Sequence, residues 1–191
     1  MLEWICAFDK NLLLFLQQYL RTPLGDALFP IITALGNYGL IWILICVALL
    51  FTKRYRRWGG AGLCAMLLCV LVGNLLLKNL ICRPRPFVEL PQVVLLIEPP
   101  YGFSFPSGHS SSSFAAAWVL LRARRSWGIA ALVLAALIAF SRMYLFAHYF
   151  TDVLAGAALG IGLAELTMRA FSSAALARVW QNCKKAIGKE Q

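Results

Sequence analysis

The chain has 191 residues, enough for one domain, but 61% of them are hydrophobic and only 14% are charged. With a mean hydropathy of +0.73, against about a quarter charged residues in an ordinary soluble domain, it reads as a membrane protein and not a soluble one. Its 18 Lys and Arg against 8 Asp and Glu give a net charge of +10, yet these basic residues stand in short clusters between apolar blocks, where the positive-inside rule and anionic headgroups account for them without nucleic acid.

Residues 2–20 predict a helix in which Trp4, Ile5, Phe8, Leu12, Phe15, Leu16 and Tyr19 recur at spacings of three and four, with Asp9, Lys10 and Gln17 on a polar side. An interfacial helix is the preferred reading. A sixth span is the alternative, since charges near a helix end reach the headgroups. Glu3 and Asp9 precede any long apolar core, so no signal peptide is expected and the helix should stay in the mature chain.

Four apolar blocks follow, at about 28–51, 59–81, 127–146 and 149–171; at about 1.5 Å per residue each approaches or exceeds the roughly 30 Å hydrocarbon thickness. Residues 107–121, SGHSSSSFAAAWVLL, are shorter and start polar, but small Ser and Ala pack well between helices, as do Gly156, Gly160 and Gly162 farther on. Counting this segment as a span, the fold class is an all-α polytopic membrane bundle of about five transmembrane helices. In this reading 1–191 is a single domain: an interfacial helix over 1–22, a bundle over 28–171 and a basic cytoplasmic tail over 172–191.

Orientation follows from the basic clusters. Lys53, Arg54, Arg56 and Arg57, then Arg122, Arg124 and Arg125, then Arg178, Lys184, Lys185 and Lys189 all fall on one side, the cytoplasmic one. The outer side receives the N-terminal helix, the 146–149 turn and the 82–106 connection, whose six prolines exclude a continuous helix and suit a lid or an inlet for substrate. Lys78, Arg83, Arg85 and Arg142 also lie toward that outer side, against the usual bias, so an anion is expected there. Six cysteines without a CxxC pair indicate neither a disulfide framework nor a zinc site.

Three separated pieces converge on the outer face: Lys78, Arg85 and Pro86 (K-x6-RP); Pro106, Ser107, Gly108 and His109 (PSGH); and Ser141, Arg142, His148 and Asp152 (SR-x5-H-x3-D). Lys78, Arg85 and Arg142 together suit the oxygens of a phosphoryl group, Arg with paired planar donors and Lys with a mobile point charge. Taken alone, Lys78 or Arg83 reads better as a snorkelling headgroup contact. Ser107 and Gly108 open a helix, whose free N–H groups and dipole favour an anion, although Ser107 serves equally as a helix cap. Both histidines of the chain, His109 and His148, fall within these pieces. Four residues apart on a helix, His148 and Asp152 read as a nucleophile with its orienting carboxylate, or else Asp152 pairs with Arg142 or another cation. The serines at 110–113 are assigned packing or helix-entry hydrogen bonds, and the loop acids Glu89 and Glu98 a solvated existence; no metal is expected.

In order and spacing these pieces resemble the type 2 phosphatidic acid phosphatase superfamily, and the likeness in layout runs from about residue 28 to 171. The resemblance implies catalysis without cofactor or metal: His148 attacks phosphorus to form a phosphohistidine, Asp152 orients it, and His109 protonates the departing oxygen and then activates water. Lys78, Arg85, Ser107, Gly108 and Arg142 would hold the phosphoryl oxygens. It further implies a lipid phosphate or diphosphate in the bilayer as partner, cleaved at the outer face of the cell membrane, the bacterial inner membrane. Among small members, undecaprenyl diphosphate phosphatases fit best, with phosphatidylglycerophosphate or phosphatidate phosphatase as the alternative. A transporter or an anionic-lipid-binding protein are the non-enzymatic readings; the first wants charges near midspan and the second has no need of an HxxxD pair.

Overall fold

Apolar runs punctuated by glycine, proline and basic clusters fold here into helices alone: the computed structural model describes residues 2–172 and contains no strand among them. The basic cluster Arg178, Lys184, Lys185 and Lys189 lies outside the described residues, with Cys183.

Helix α1 (Leu2–Phe15) continues through a π-helical turn, Leu16–Leu20. Thr22 then caps α2 (Pro23–Leu35), its hydroxyl accepting from the Gly25 N–H at 3.1 Å with Pro23 in the first turn. The block expected as one span from 28 to 51 is two helices. After Gly36 the backbone turns left-handed at Tyr38 (φ 54°) and Gly39 (φ 68°), and α3 (Leu40–Leu50) departs at 41°. Gly39 is favoured there by its φ, which a side chain rarely adopts.

The next span holds as expected in position: α4 (Arg56–Leu68), a π-helical segment Cys69–Leu77, and α5 (Lys78–Ile81). The proline-rich connection carries one short helix, α6 (Pro86–Glu89). Then come α7 (Gly108–Ala123), α8 (Arg125–Tyr144) and α9 (Phe150–Ser172). Among the described residues three stretches, Arg56–Glu89, Arg125–Tyr144 and Phe150–Ser172, are long and apolar enough to cross a membrane, and the bent α2–α3 pair passes as a fourth. At 16 residues α7 rises only about 24 Å.

Helix α7 is the hub, enclosed by α4, α8 and α9. Its Ala115, Ala116, Ala117, Ser110, Ser111 and Ser113 are all buried, so the polar start that sets this segment apart in the sequence meets protein instead of lipid. Each serine finds a partner: Ser113 accepts from Trp42 Nε1 at 2.9 Å, and Ser111 and Ser112 donate to the Gly108 carbonyl. On the facing helix α9, Gly156 and Gly160 lie against the Ser107 and Ser111 carbonyls. Gly162, expected to join them, faces open space.

Helix α1 also departs from its expected pose. Trp4, Phe8, Phe15 and Tyr19 are exposed, while Asp9 is fully buried beside Leu13 and Leu16, and Gln17 donates to the Tyr144 carbonyl at 2.7 Å. Asp9 and Gln17, from the polar side of the helix, are used inward, and for Asp9 the bundle supplies a cation and hydrogen-bond donors in place of its solvation.

Candidate active site

The turn between α8 and α9 sets the first part of the site. Leu145 and Phe146 close α8, Phe146 at φ 58°, and the Arg142 carbonyl accepts from both the Ala147 and the His148 N–H, at 2.9 and 3.2 Å. His148 therefore sits in a fully enclosed turn, one residue short of Tyr149 and two short of α9. The expected helical i, i+4 stacking of His148 on Asp152 is not what occurs, since only Asp152 is helical. Its Oδ2 accepts from the Tyr149 N–H at 2.9 Å, satisfying a free donor at the start of α9. His148 Nδ1 still lies 3.7 Å from that oxygen.

The carboxylate has further holders. Ser104 Oγ donates to Asp152 Oδ2 at 2.5 Å and lies 3.4 Å from His148 Nδ1; Arg83 Nη1 donates to Asp152 Oδ1 at 2.7 Å. Of the two expected partners, then, the other cation is present, and it is Arg83 and not Arg142. Arg83 is not a snorkelling side chain: it bridges Asp9 and Asp152, donates to Thr151 Oγ1 and lies 4.1 Å over the Tyr149 ring.

Arg85 is buried and fixed by the connection it emerges from. Nε and Nη2 donate to the Gly102 and Tyr101 carbonyls at 2.8 and 2.9 Å, and Nη1 donates to the Ala147 carbonyl at 3.0 Å while facing His148 Nε2 at 3.3 Å. A guanidinium has no acceptor. The ring nitrogen facing it therefore carries the lone pair, which assigns the proton to Nδ1, on the side of Ser104 and Asp152. Burial, with the charges of Arg85 and Arg142 adding to it, pushes the His148 imidazole down to about 3 from its ordinary 6.5, against the opposing pull of Asp152. At neutral pH His148 is an uncharged base.

The remaining cations converge from other helices. Arg142 is buried, donates to Thr33 Oγ1 of α2 at 2.6 Å, and has a buried Nε with no hydrogen-bond partner among the described residues. The Lys78 ammonium, at the start of α5, makes no hydrogen bond or ion pair among the described residues, and the charges of Arg85, Arg142 and Asp152 act on it. Ser107 is the N-cap of α7, accepting from the Ser110 N–H at 3.4 Å and Oγ at 3.0 Å, and its own N–H donates to the Asp152 carbonyl at 3.0 Å. Gly108 follows in the first turn, where a Cβ would stand 3.0 Å from Asn74 Oδ1. His109 lies one residue on, its Nε2 3.0 Å from Asn37 Oδ1 in the α2–α3 bend, within Coulombic range of Arg142, His148, Lys78 and Arg85.

All eight expected residues thus gather around one place. Reasoning from sequence put Arg83 on the outer side without assigning it to the site, and missed the other supports: Ser104, Thr33, Asn37, and Asp9 behind Arg83. Glu89, read as a solvated acid, pairs with Lys10 at 2.8 Å and accepts from Tyr149 Oη at 2.7 Å. For Arg83 the charge against the positive-inside bias was the available signal. Ser104, Thr33 and Asn37 carried none, being ordinary polar residues whose place depends on how three chain segments cross.

Residues 59–175 match the model of the PAP2 superfamily. The chain is 29% identical over 153 residues to an undecaprenyl-diphosphatase of Sulfolobus acidocaldarius, covering 78% of this chain and 74% of that one. Among solved structures it is similar to Aquifex aeolicus LpxE (TM-score 0.74, 29% identity, 85% of this chain and 95% of that one). A second is the first transmembrane PAP2 type phosphatidylglycerolphosphate phosphatase from Bacillus subtilis (TM-score 0.70, 28% identity, 85% and 84%).

Proposed function

The chain belongs to the PAP2 superfamily of lipid phosphatases, and from that premise we propose that it hydrolyses undecaprenyl diphosphate to undecaprenyl phosphate and phosphate at the outer face of the bacterial cytoplasmic membrane. The observation that carries the reading is the placement of His148, its Nε2 facing the Arg85 guanidinium at 3.3 Å and its Nδ1 lying 3.4 Å from Ser104 Oγ and 3.7 Å from Asp152 Oδ2.

The chemistry follows from these parts. His148 Nε2 attacks the terminal phosphorus, the bridging P–O bond breaks, and the leaving lipid oxygen takes a proton from His109. The resulting phosphohistidine is positively charged on the ring, which the Asp152 carboxylate offsets. Water then gives a proton to His109 as its oxygen attacks phosphorus; the P–N bond breaks, phosphate leaves, and His148 regains its lone pair. Throughout, Lys78, Arg85 and Arg142, the Ser107 hydroxyl and the Gly108 N–H stabilise the charged equatorial oxygens, as fixed dipoles and charges that need no reorganisation. Arg142 Nε is a buried donor still free to take part.

The undecaprenyl-diphosphatase relative supports the diphosphate substrate, and the Bacillus subtilis structure supports phosphatidylglycerophosphate as the second reading. The one-domain layout, the five spans and the outward-facing site belong to the same proposal, supported by the basic clusters at the opposite ends of the helices. The test is phosphate release by purified protein in detergent from undecaprenyl diphosphate, phosphatidylglycerophosphate and phosphatidate. We expect the first to have the highest kcat/KM and His148→Ala to abolish release while the fold stays intact. Release by His148→Ala at the wild-type rate would remove the nucleophile, and turnover of none of the three would remove the lipid phosphatase reading.

A further inference from the structure

We propose that Asp9 of the N-terminal helix is a positioning residue of the active site, acting through Arg83 to fix the place and the charge of Asp152. This rests on the roles proposed above for His148 and Asp152.

Asp9 has no exposed surface, although its helix neighbours Trp4 and Phe8 are open at 75% and 45%. A carboxylate turned inward from so exposed a helix needs compensation, and it receives it from three groups. Arg83 Nη2 donates at 2.7 Å, the Thr151 N–H at 3.1 Å, and the Thr151 hydroxyl as well. The other arm of the same guanidinium donates to Asp152 Oδ1 and to Thr151 Oγ1, each at 2.7 Å. One cation therefore stands between two buried carboxylates, only one of which touches the nucleophile's side of the site.

Two consequences follow from that geometry. Positionally, Asp9 holds one prong of the guanidinium, so the other prong cannot swing away from Asp152 Oδ1, and Oδ2 remains aimed at Ser104 and His148. Electrostatically, Asp9 takes up part of the charge of Arg83. Asp152 is then not neutralised by a whole cation and keeps its strength as an acceptor for the His148 Nδ1 proton. Simple docking of α1 does not call for Asp9: Lys10 with Glu89 at 2.8 Å and Gln17 with the Tyr144 carbonyl at 2.7 Å already tie the helix down.

The experiment measures kcat and KM for phosphate release from undecaprenyl diphosphate by the full-length protein in detergent, for wild type, Asp9→Asn, Arg83→Gln, the double variant, Lys10→Ala and His148→Ala. Outer-shell partners that orient a metal-bound histidine are worth about 10- to 100-fold in activity, and Asp9 stands behind Asp152 in the corresponding place. Asp9→Asn is expected to lower kcat at least about 10-fold with KM within about twofold, because Asp9 touches no substrate. Lys10→Ala, which breaks only the docking pair, should match wild type. The double variant should be no slower than Arg83→Gln alone, because the effect of Asp9 passes through Arg83. Wild-type kcat in Asp9→Asn overturns the proposal, as does a raised KM with kcat intact, or losses that multiply in the double variant. Should Asp9→Asn alone not fold, Arg83→Gln with and without Asp9→Asn still decides: equal kcat supports the route through Arg83, a further loss refutes it. His148→Ala separates the two levels. Its activity at the wild-type rate would sink the phosphatase reading itself, whereas an inactive His148→Ala beside a fully active Asp9→Asn sinks only this inference.

Discussion

Three glycines of α9 make a controlled experiment on what holds the site together. A Cβ on Gly156 would stand 2.5 Å from the Ser107 carbonyl oxygen and 3.1 Å from Ser110 Cβ; on Gly160 it would collide with the Ser111 carbonyl and stand 3.0 Å from the Ala115 N. Both obstacles include backbone of the buried hub helix, which cannot step aside as a flexible side chain would. On Gly162 a Cβ meets nothing within 4 Å. Replacing any of the three with Ala gains the same helix propensity, up to about 1 kcal/mol, so the difference between Gly156→Ala or Gly160→Ala and Gly162→Ala isolates the overpacking. That term is about 1–3 kcal/mol, or roughly 5- to 150-fold in the folding equilibrium. Reversible unfolding of the detergent-solubilised protein measures it, with Gly162→Ala expected at or slightly above wild type. Gly156→Ala should also lose activity out of proportion to its stability. Gly156 lies one turn beyond Asp152, and the Ser107 N–H that donates to the Asp152 carbonyl at 3.0 Å belongs to the residue it displaces. Equal stability of all three variants would refute the claim that glycine sets the α7–α9 approach.

Other expectations follow from the site. Arg85→Lys keeps the charge but not the fork that spans the Tyr101, Gly102 and Ala147 carbonyls; losing two such charge-assisted bonds at about 1.5 kcal/mol each predicts a fall of roughly 100-fold in kcat/KM. Full activity in that variant would mean that charge alone suffices. Because His148 is pushed down to about 3 by burial, 15N NMR of labelled histidine should keep its ring neutral at pH 5, with the signal assigned from a His109→Gln variant; titration near 6.5 would contradict the buried pose. The sign for stability is the same. Below about 6.5 the unfolded chain takes up a proton at His148 that the folded chain refuses until about 3, so His148 lowers stability as pH falls through that window. Finally, in a variant whose only cysteine is the exposed Cys82, a membrane-impermeant thiol reagent should label intact cells from outside. Protection there, with labelling from the cytoplasmic side, would reverse the orientation.

How much of this was legible beforehand differs residue by residue. Composition and the lengths of the apolar runs determine a helical membrane protein, because in hydrocarbon every backbone polar group must be paired within its own segment or a closed barrel. The three motif pieces likewise announce a phosphate chemistry, since residue types at fixed spacing carry their own chemistry: a cluster of cations on the wrong side of the charge bias and two histidines within it. The bend at Gly36 to Gly39 was visible only as glycines in an apolar run; the 146–149 turn was legible between two apolar blocks, but not that it leaves His148 outside α9, for the residues around His148 are equally compatible with a first helical turn.

What tertiary structure alone decided is which polar group meets which. Asp9 reads as the wet side of an amphipathic helix until the bundle sets Arg83 and Thr151 against it. Asp152 reads as a partner of His148 until Arg83, Ser104 and the Tyr149 N–H are counted around it. Periodicity along a chain fixes the face a side chain occupies on its own helix. A buried charge is settled by the sum over every neighbour in three dimensions, and those neighbours come from segments as much as 142 residues apart, as Asp9 and Thr151 are.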